Sequence, residues 1–439
     1  MRGIDKVPVF PITSRINGTS VLEIGGCTIS DLAEQYGTPL YVFDETTIRS
    51  ICKDFLEGFQ SHYPDTSAVY ASKAFMTVGL AQLLQEEDFG LDVVSGGEIA
   101  AAVKAGLPMH NIYFHGNNKT REELEYALEM NIGRIVVDNI HELDVLDELA
   151  EKKHTVQSIL LRVSPGVDPH THAKTTTGIL DSKFGLPIVT GQAEEAVKKA
   201  MKSKSLDLIG LHFHLGSPIW DMFPYEEAIP IALDFAQEMS RNHGMDLKEF
   251  SPGGGFAVRY LIDQEPPTPA AYANAITNAV KNGCNDRDIP LPKLIIEPGR
   301  AIVGQAGVAV YTVGAIKTVP GIRTFVAVDG GMGDNIRPAL YEAEYEAVLP
   351  NRMDEEATVP VTIAGKYCES GDILVRDVPL PPVVPGDLIS VPVSGAYCLA
   401  MSSNYNMALK PAIVLVRDGK SQLWRKRETY EDLYRNDIS

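Results

Sequence analysis

The chain has 439 residues, 44% hydrophobic and 22% charged, an ordinary globular composition with length for two or more domains. Its 39 basic against 58 acidic residues leave a formal net charge of -19, which repels nucleic-acid phosphates and anionic membranes and argues against both as partners. The cysteines (Cys27, Cys52, Cys284, Cys368 and Cys398) are odd in number and unpaired in spacing, which argues against a disulfide scaffold or a zinc knuckle.

In chain order, residues 1–10 lack a basic segment followed by a long apolar run, so no signal peptide is expected. No apolar stretch is long enough to span a bilayer, and cytoplasm is the expected location. The first 40 or so residues are strand-like at 19–24 and 39–43. From 45 to 300, short β-branched runs alternate with longer stretches of helical spacing. The runs are 67–74, 91–97, 112–117, 134–139, 158–165, 208–217, 249–255 and 294–300. Helical candidates between them include 98–105, 121–130, 141–151, 194–204 and 225–241. Eight strand–helix units predict a TIM-type (β/α)8 barrel, with a doubly wound open sheet as the alternative.

After residue 300 strand-like runs dominate, at 307–319, 323–331, 358–364, 372–380, 387–394 and 412–418, separated by Pro and Gly turns. They predict a second, β-sandwich or β-barrel-like domain of residues 301–439, joined by 1–44. The longest barrel connection, 166–186, carries Ser, Thr, Lys, His and Gly, and its length marks it as a functional candidate.

A barrel of this type presents its chemistry at the C-terminal ends of its strands. Those ends carry Lys73, Ser95, His115, Asp138, Arg162, His214 with Ser217, Gly253 to Gly255, and Glu297 with Arg300. Lys73 stands in the apolar run Val69-Tyr70-Ala71-Ser72-Lys73-Ala74-Phe75. Desolvation there lowers an amine pKa and frees it as a nucleophile; the plainer reading is a lysine that snorkels out at a strand end. Gly253-Gly254-Gly255-Phe256 allows backbone N–H groups to approach an anion closely, or serves as a flexible turn. It is not a dinucleotide-binding GxGxxG. In Glu297-Pro298-Gly299-Arg300 the arginine suits a phosphate and the glutamate a protonated ring nitrogen; an ion pair at the barrel rim is the alternative. His212 and His214 face one way on a strand, as a metal pair without a third ligand or as core histidines. His170 and His172 repeat that spacing in a polar loop and read as solvated.

These motifs resemble the fold-type III pyridoxal-phosphate decarboxylases over nearly the whole chain. The resemblance is carried by YASKAF around Lys73, DVVSGGE from Asp92, FHGNNK from Phe114 and LRVSPGVDPHTH from Leu161. It continues in TGILDSKFG from Thr177, GLHFHLGS from Gly210, GGGF, EPGR, IRPALY from Ile336, CESGD from Cys368 and GAY at Gly395 to Tyr397. The likeness is strongest to members that convert meso-2,6-diaminopimelate to L-lysine and carbon dioxide, the last step of lysine biosynthesis. It implies that Lys73 carries pyridoxal 5'-phosphate covalently and that His214 stacks on its ring. Ser217, Gly255 and the loop Glu297, Pro298, Gly299, Arg300 would bind its phosphate, with Tyr397 nearby, and Glu297 would keep the ring nitrogen protonated. Arg300, Arg337, Tyr341, Glu369 and Tyr397 would bind substrate, and Cys368 would return a proton after carbon dioxide leaves. No metal is implied. A homodimer with shared active sites is.

The chain departs from the family at Phe75, where Asn is frequent, and after Asn406, where Met-Ala-Leu-Lys-Pro lacks the usual arginines. Three other functions compete. A decarboxylase of lysine, ornithine or arginine has no second carboxylate to bind and no use for Arg337 with Tyr341. A non-catalytic pyridoxal-phosphate-binding protein needs only the barrel. An amino-acid racemase finds no matching motif.

Overall fold

A computed structural model describes residues 2–168 and 177–438. The chain forms two compact units, one of Cys52–Ala257 and Pro266–Gly299, the other of Met1–Ile51, Val258–Glu265 and Arg300–Ser439.

The first unit is a closed barrel of eight parallel strands: β1 (Thr66–Ala71), β2 (Gly90–Val93), β3 (Ile112–Phe114), β4 (Arg134–Val137), β5 (Gln157–Ser164), β6 (Leu206–His212), β7 (Glu249–Ser251) and β8 (Lys293–Ile296). Each strand pairs with the next, and β8 closes on β1 through Leu294↔Thr66 and Ile296↔Ala68. Closure excludes the open doubly wound sheet. Inside, Val69, Tyr113, Val136, Leu160, Ile209 and Ile295 form one buried layer from six strands.

The intervening helices follow the apolar period. In Ile140–Lys152 the buried Leu143, Leu146, Leu149 and Ala150 recur at helical spacing, and the Asn139 side chain accepts the Glu142 N–H at 2.9 Å to start the helix. Every strand stops one or more residues short of its sequence-predicted end. Lys73 lies in a one-turn 3-10 helix, Ser72–Ala74, just past β1. Ser95, a strand-end candidate, serves the fold instead: its Oγ accepts the Glu98 N–H and caps helix Gly96–Ala105.

The opposite end of the barrel is also polar. Arg134, Tyr113 and the buried Glu249 meet there, with Arg134 Nη2 at 2.6 Å and Tyr113 Oη at 3.0 Å from the Glu249 carboxylate. Charge at a strand end therefore does not by itself mark the functional face.

The second unit is built on an eight-stranded sheet. The N-terminal strand Leu40–Asp44 lies between Gly307–Val319, antiparallel, and Ala412–Arg417, parallel. Gly307–Val319 pairs with Leu388–Val391 through its first half and with Arg323–Val328 through its second. Strands Arg15–Ile16, Leu22–Ile24 and Cys27–Thr28 form a small sheet of their own.

Candidate functional site

At the C-terminal mouth of the barrel the fold collects Lys73, Asp92, His115, His212, His214, Ser251 and Glu297. Glu297 follows β8 and is buried. Its Oε2 lies 3.1 Å from His212 Nε2, and its Oε1 accepts the Ser251 hydroxyl at 2.8 Å. His115 Nε2 stands 3.5 Å from Oε1, and the two imidazole rings meet edge-on at 4.8 Å. Burial works against a charge on Glu297, but the adjacent His212 and His115 and the hydrogen bonds from His212 and Ser251 outweigh it and hold this carboxyl below the ordinary range. Burial in turn keeps His115 and His212 below the usual imidazole range.

Lys73 stands at the accessible side of this cluster, its side chain 44% exposed, with Nζ 4.0 Å from Asp92 Oδ2. Asp92 is buried, and burial pushes its carboxyl up to about 7 against the pull of Lys73. Asp92 Oδ1 lies 3.8 Å from His115 Nε2, and neither atom has a hydrogen-bond partner among the described residues. Arg162 is buried with its guanidinium 4.5 Å over the Phe184 ring, and Asp138 accepts the Gly185 N–H at 2.6 Å. Among the described residues, His115, His212 and Glu297 also form a group whose ligand atoms lie close enough together to hold a metal ion, all within 4.8 Å. The His212 and His214 pair considered from the sequence does not form such a group, because the two rings turn to different partners.

His214 Nδ1 accepts the Gly254 N–H at 3.3 Å, which puts the proton of the neutral ring on Nε2. Burial, with Lys73 and Arg162 nearby, holds this imidazole well below its usual range. The triple glycine beside it is a steric requirement. A Cβ at Gly254 would stand 2.0 Å from Glu297 O, and one at Gly255, whose φ is 107°, would stand 2.5 Å from Gly216 O. Ser217 is half-buried in the loop after β6, and Pro298 and Gly299 follow Glu297. Gly299 packs so tightly that a Cβ would lie 2.9 Å from the Ala71 Cβ.

An accessible primary amine and a buried anionic carboxyl, joined by Asp92 and His115, suit a small aromatic aldehyde with a basic ring nitrogen. The amine matches the carbonyl carbon, and the carboxylate matches a ring N–H. Pyridoxal phosphate has both groups, so the residues present fit it. His170 and His172 lie outside the described residues.

The remaining sequence candidates belong to the second unit. Arg300 and Arg337 are both buried there. Arg300 Nη1 donates to Tyr260 Oη at 2.7 Å, and its guanidinium lies 4.8 Å from the Tyr397 ring. Arg337 donates to Tyr345 Oη and lies 4.8 Å over the Tyr260 ring. Tyr341 ends the helix Arg337–Tyr341. Cys368 and Glu369 occupy an exposed turn, where the Cys368 N–H donates to Asn406 Oδ1 at 3.0 Å. The sequence reading missed Tyr260, Tyr345 and the Asp92–His115 link. Asp92 and His115 stood within or beside quoted motifs, whereas the two tyrosines gave no local signal.

Residues 48–304 match the family model described as pyridoxal-dependent decarboxylase, pyridoxal binding domain. The diaminopimelate decarboxylase of Bacillus subtilis is 47% identical over 97% of both chains. A crystal structure of diaminopimelate decarboxylase from M. jannaschii in complex with L-lysine superposes with a TM-score of 0.92 at 35% identity, covering 100% of this chain and 99% of that one. The lysine/ornithine decarboxylase of Vibrio vulnificus, at 22% identity and a TM-score of 0.76, shares the fold. With more than half its length matched by the family model and nearly all of it aligned to such relatives, this chain belongs to the pyridoxal-dependent decarboxylases, in their diaminopimelate decarboxylase branch.

Proposed function

We propose that the chain decarboxylates meso-2,6-diaminopimelate to L-lysine and carbon dioxide, with pyridoxal 5'-phosphate held by Lys73. The observation that carries the reading is 47% identity along almost the full length of a diaminopimelate decarboxylase. Pyridoxal phosphate, when bound, draws the electron pair of the breaking carbon–carbon bond into its ring. The protein's part is to tune and orient. Lys73 anchors the carbonyl end. Glu297, kept ionised by His212, His115 and Ser251, keeps the ring nitrogen protonated. His214 lies against the ring, while Ser217, Gly255 and the Glu297, Pro298, Gly299, Arg300 loop serve the phosphate with Tyr397. Arg300, Arg337, Tyr341, Glu369 and Tyr397 bind substrate, and Cys368 delivers the final proton.

Supplied with pyridoxal phosphate and meso-diaminopimelate, the protein is expected to release L-lysine and carbon dioxide in equal amounts. Borohydride reduction of the loaded protein should leave the pyridoxyl group on the peptide containing Lys73. Cadaverine made from lysine, or a label on another lysine, would overturn the substrate or the anchor. A cofactor-binding protein without turnover would not need the second unit with its buried arginines.

The working form on this reading is a cytoplasmic homodimer with shared sites. Its support is the exposed turn at Cys368 and Glu369, flanked by Tyr405 and Met407, 40% and 58% exposed. An aromatic and a methionine beside catalytic candidates suit cover by a second copy. Lys73→Ala and Glu369→Ala are each expected to be nearly inactive alone. Mixed as exchanged dimers they should recover roughly a quarter of native sites, because half the dimers are mixed and each carries one intact site. Confirmed exchange without recovery rules out sharing.

A further inference from the structure

Arg337 is 7% exposed, and among the described residues it has no carboxylate partner. A buried cation normally finds an anion, because an unpaired charge in a protein interior is costly. Here the neighbours are phenols. Tyr345 Oη accepts from Nη1, the Tyr260 and Tyr345 rings lie 4.8 and 5.5 Å from the guanidinium carbon, and Cys398 Sγ stands 3.6 Å behind Tyr345 Oη. Burial works against the charge on Arg337, yet Tyr260, Tyr345 and Cys398 around it favour the charged form. Burial also holds the Tyr345 phenol well above its ordinary range, so that hydroxyl is neutral and offers no counter-charge.

Arg300 addresses the same ring. Its Nη1 donates to Tyr260 Oη at 2.7 Å, and its guanidinium carbon lies 5.9 Å from the Tyr260 centroid. One tyrosine therefore touches both arginines, one through its hydroxyl and the other through its face. Tyr260 is itself fixed. Its N–H and that of Leu261 donate to Gln264 Oε1 at 2.9 and 3.2 Å, and Arg259 Nε donates to Gln264 O at 2.6 Å. The Ile262 N–H reaches Glu346 Oε1 at 3.4 Å, and Glu346 pairs with the buried Lys6 at 2.8 Å. The Tyr345 ring meets Tyr260 edge-on, at 5.5 Å and 86°.

We propose that Tyr260 and Tyr345 are positioning residues that hold Arg300 and Arg337 as a paired receptor for the carboxylate that survives the reaction. They thereby set the preference for a dicarboxylic over a monocarboxylic amino acid. The proposal rests on the substrate reading above. At Arg337 phenols suit the task because they orient the guanidinium without neutralising it, which leaves its charge for the ligand. L-Lysine keeps the surviving carboxylate and binds the receptor. Cadaverine, the same chain without it, does not.

The test uses the cofactor-loaded enzyme and its Tyr260→Phe and Tyr345→Phe variants, with Tyr260→Leu removing the ring as well. Each phenylalanine variant is expected to raise KM for meso-diaminopimelate about tenfold or more, the usual effect of losing a hydrogen bond to a charged group, with kcat changed less than about threefold. Inhibition by L-lysine should weaken by the same factor, and inhibition by cadaverine should not change. Tyr260→Leu should exceed Tyr260→Phe. If Tyr260→Leu fails to fold, as judged by melting and cofactor absorbance, the phenylalanine pair still decides. Unchanged KM and lysine inhibition in both, or equal weakening of lysine and cadaverine, would overturn the positioning role. A wild-type enzyme that ignores diaminopimelate, or that L-lysine does not inhibit, would instead overturn the substrate reading beneath it.

Discussion

Arg337→Ala is expected to retain the cofactor's visible absorbance and to lose nearly all decarboxylation of meso-diaminopimelate. The guanidinium is buried and its partners are phenols rather than carboxylates, so in the proposed complex the substrate carboxylate is its counter-charge. Truncating one member of a buried, hydrogen-bonded charge pair costs on the order of 2–5 kcal/mol, roughly 30-fold to several-thousand-fold in kcat/KM. Arg337→Lys should restore little, because an ammonium cannot present the planar fork that a carboxylate accepts or stack on Tyr260 in the same way. Normal turnover by the alanine variant, or a wild type that prefers lysine or ornithine, would show the substrate to be wrong.

Glu297→Gln should act on chemistry rather than on binding. The carboxylate takes a hydrogen from Ser251 and lies against His212 and His115, an arrangement that favours its anionic form despite burial. Glutamine keeps the shape and removes the charge, so on the proposed assignment the ring nitrogen would lose the partner that keeps it protonated. Breaking such a buried pair costs about 3 kcal/mol or more, which corresponds to a fall in kcat of on the order of 100-fold. KM for meso-diaminopimelate should move less than kcat, because on the proposed assignment Glu297 addresses the cofactor ring and Arg337 the substrate carboxylate. The loaded variant should also show an altered cofactor spectrum. A variant with native kcat and native spectrum would remove Glu297 from its proposed role.

The period of the barrel was readable because each strand's apolar run stands between turn residues and a helical stretch; all eight strands overlap their predicted runs. Their ends were not. Ser72-Lys73-Ala74 and Ser95 continue the run in composition but leave the ladder, one for a 3-10 turn and the other for a helix cap. Helices Glu45–His62, Val78–Glu86 and Pro269–Asp286 were not individually delimited from the sequence. Strand Lys420–Arg425 escaped notice, since Lys-Ser-Gln-Leu-Trp-Arg does not alternate and lies mostly exposed. The site divides in the same way. Lys73, His214, Glu297 and the glycines sit in compact motifs, so their type and neighbours mark them as candidates. The Glu297 setting, with Ser251 and His212 at the ends of two other strands and His115 just past a third, exists only once the barrel closes. Nothing in the local sequence of Tyr260 or Tyr345 announces that they flank the same arginine.

Strand Leu40–Asp44 lies between Gly307–Val319 and Ala412–Arg417. During synthesis this segment leaves the ribosome early, and its partners follow only when most of the chain has been made. Until then its backbone groups and the apolar side chains of Leu40, Tyr41, Val42 and Phe43, all fully covered in the finished fold, have no place to go. The barrel's strands lie contiguously except for one excursion, Val258–Glu265, and can collapse as they emerge. This strand is therefore expected to stay unpaired until both partners have emerged, and the sheet unit, with its long-range pairings, to form more slowly than the barrel.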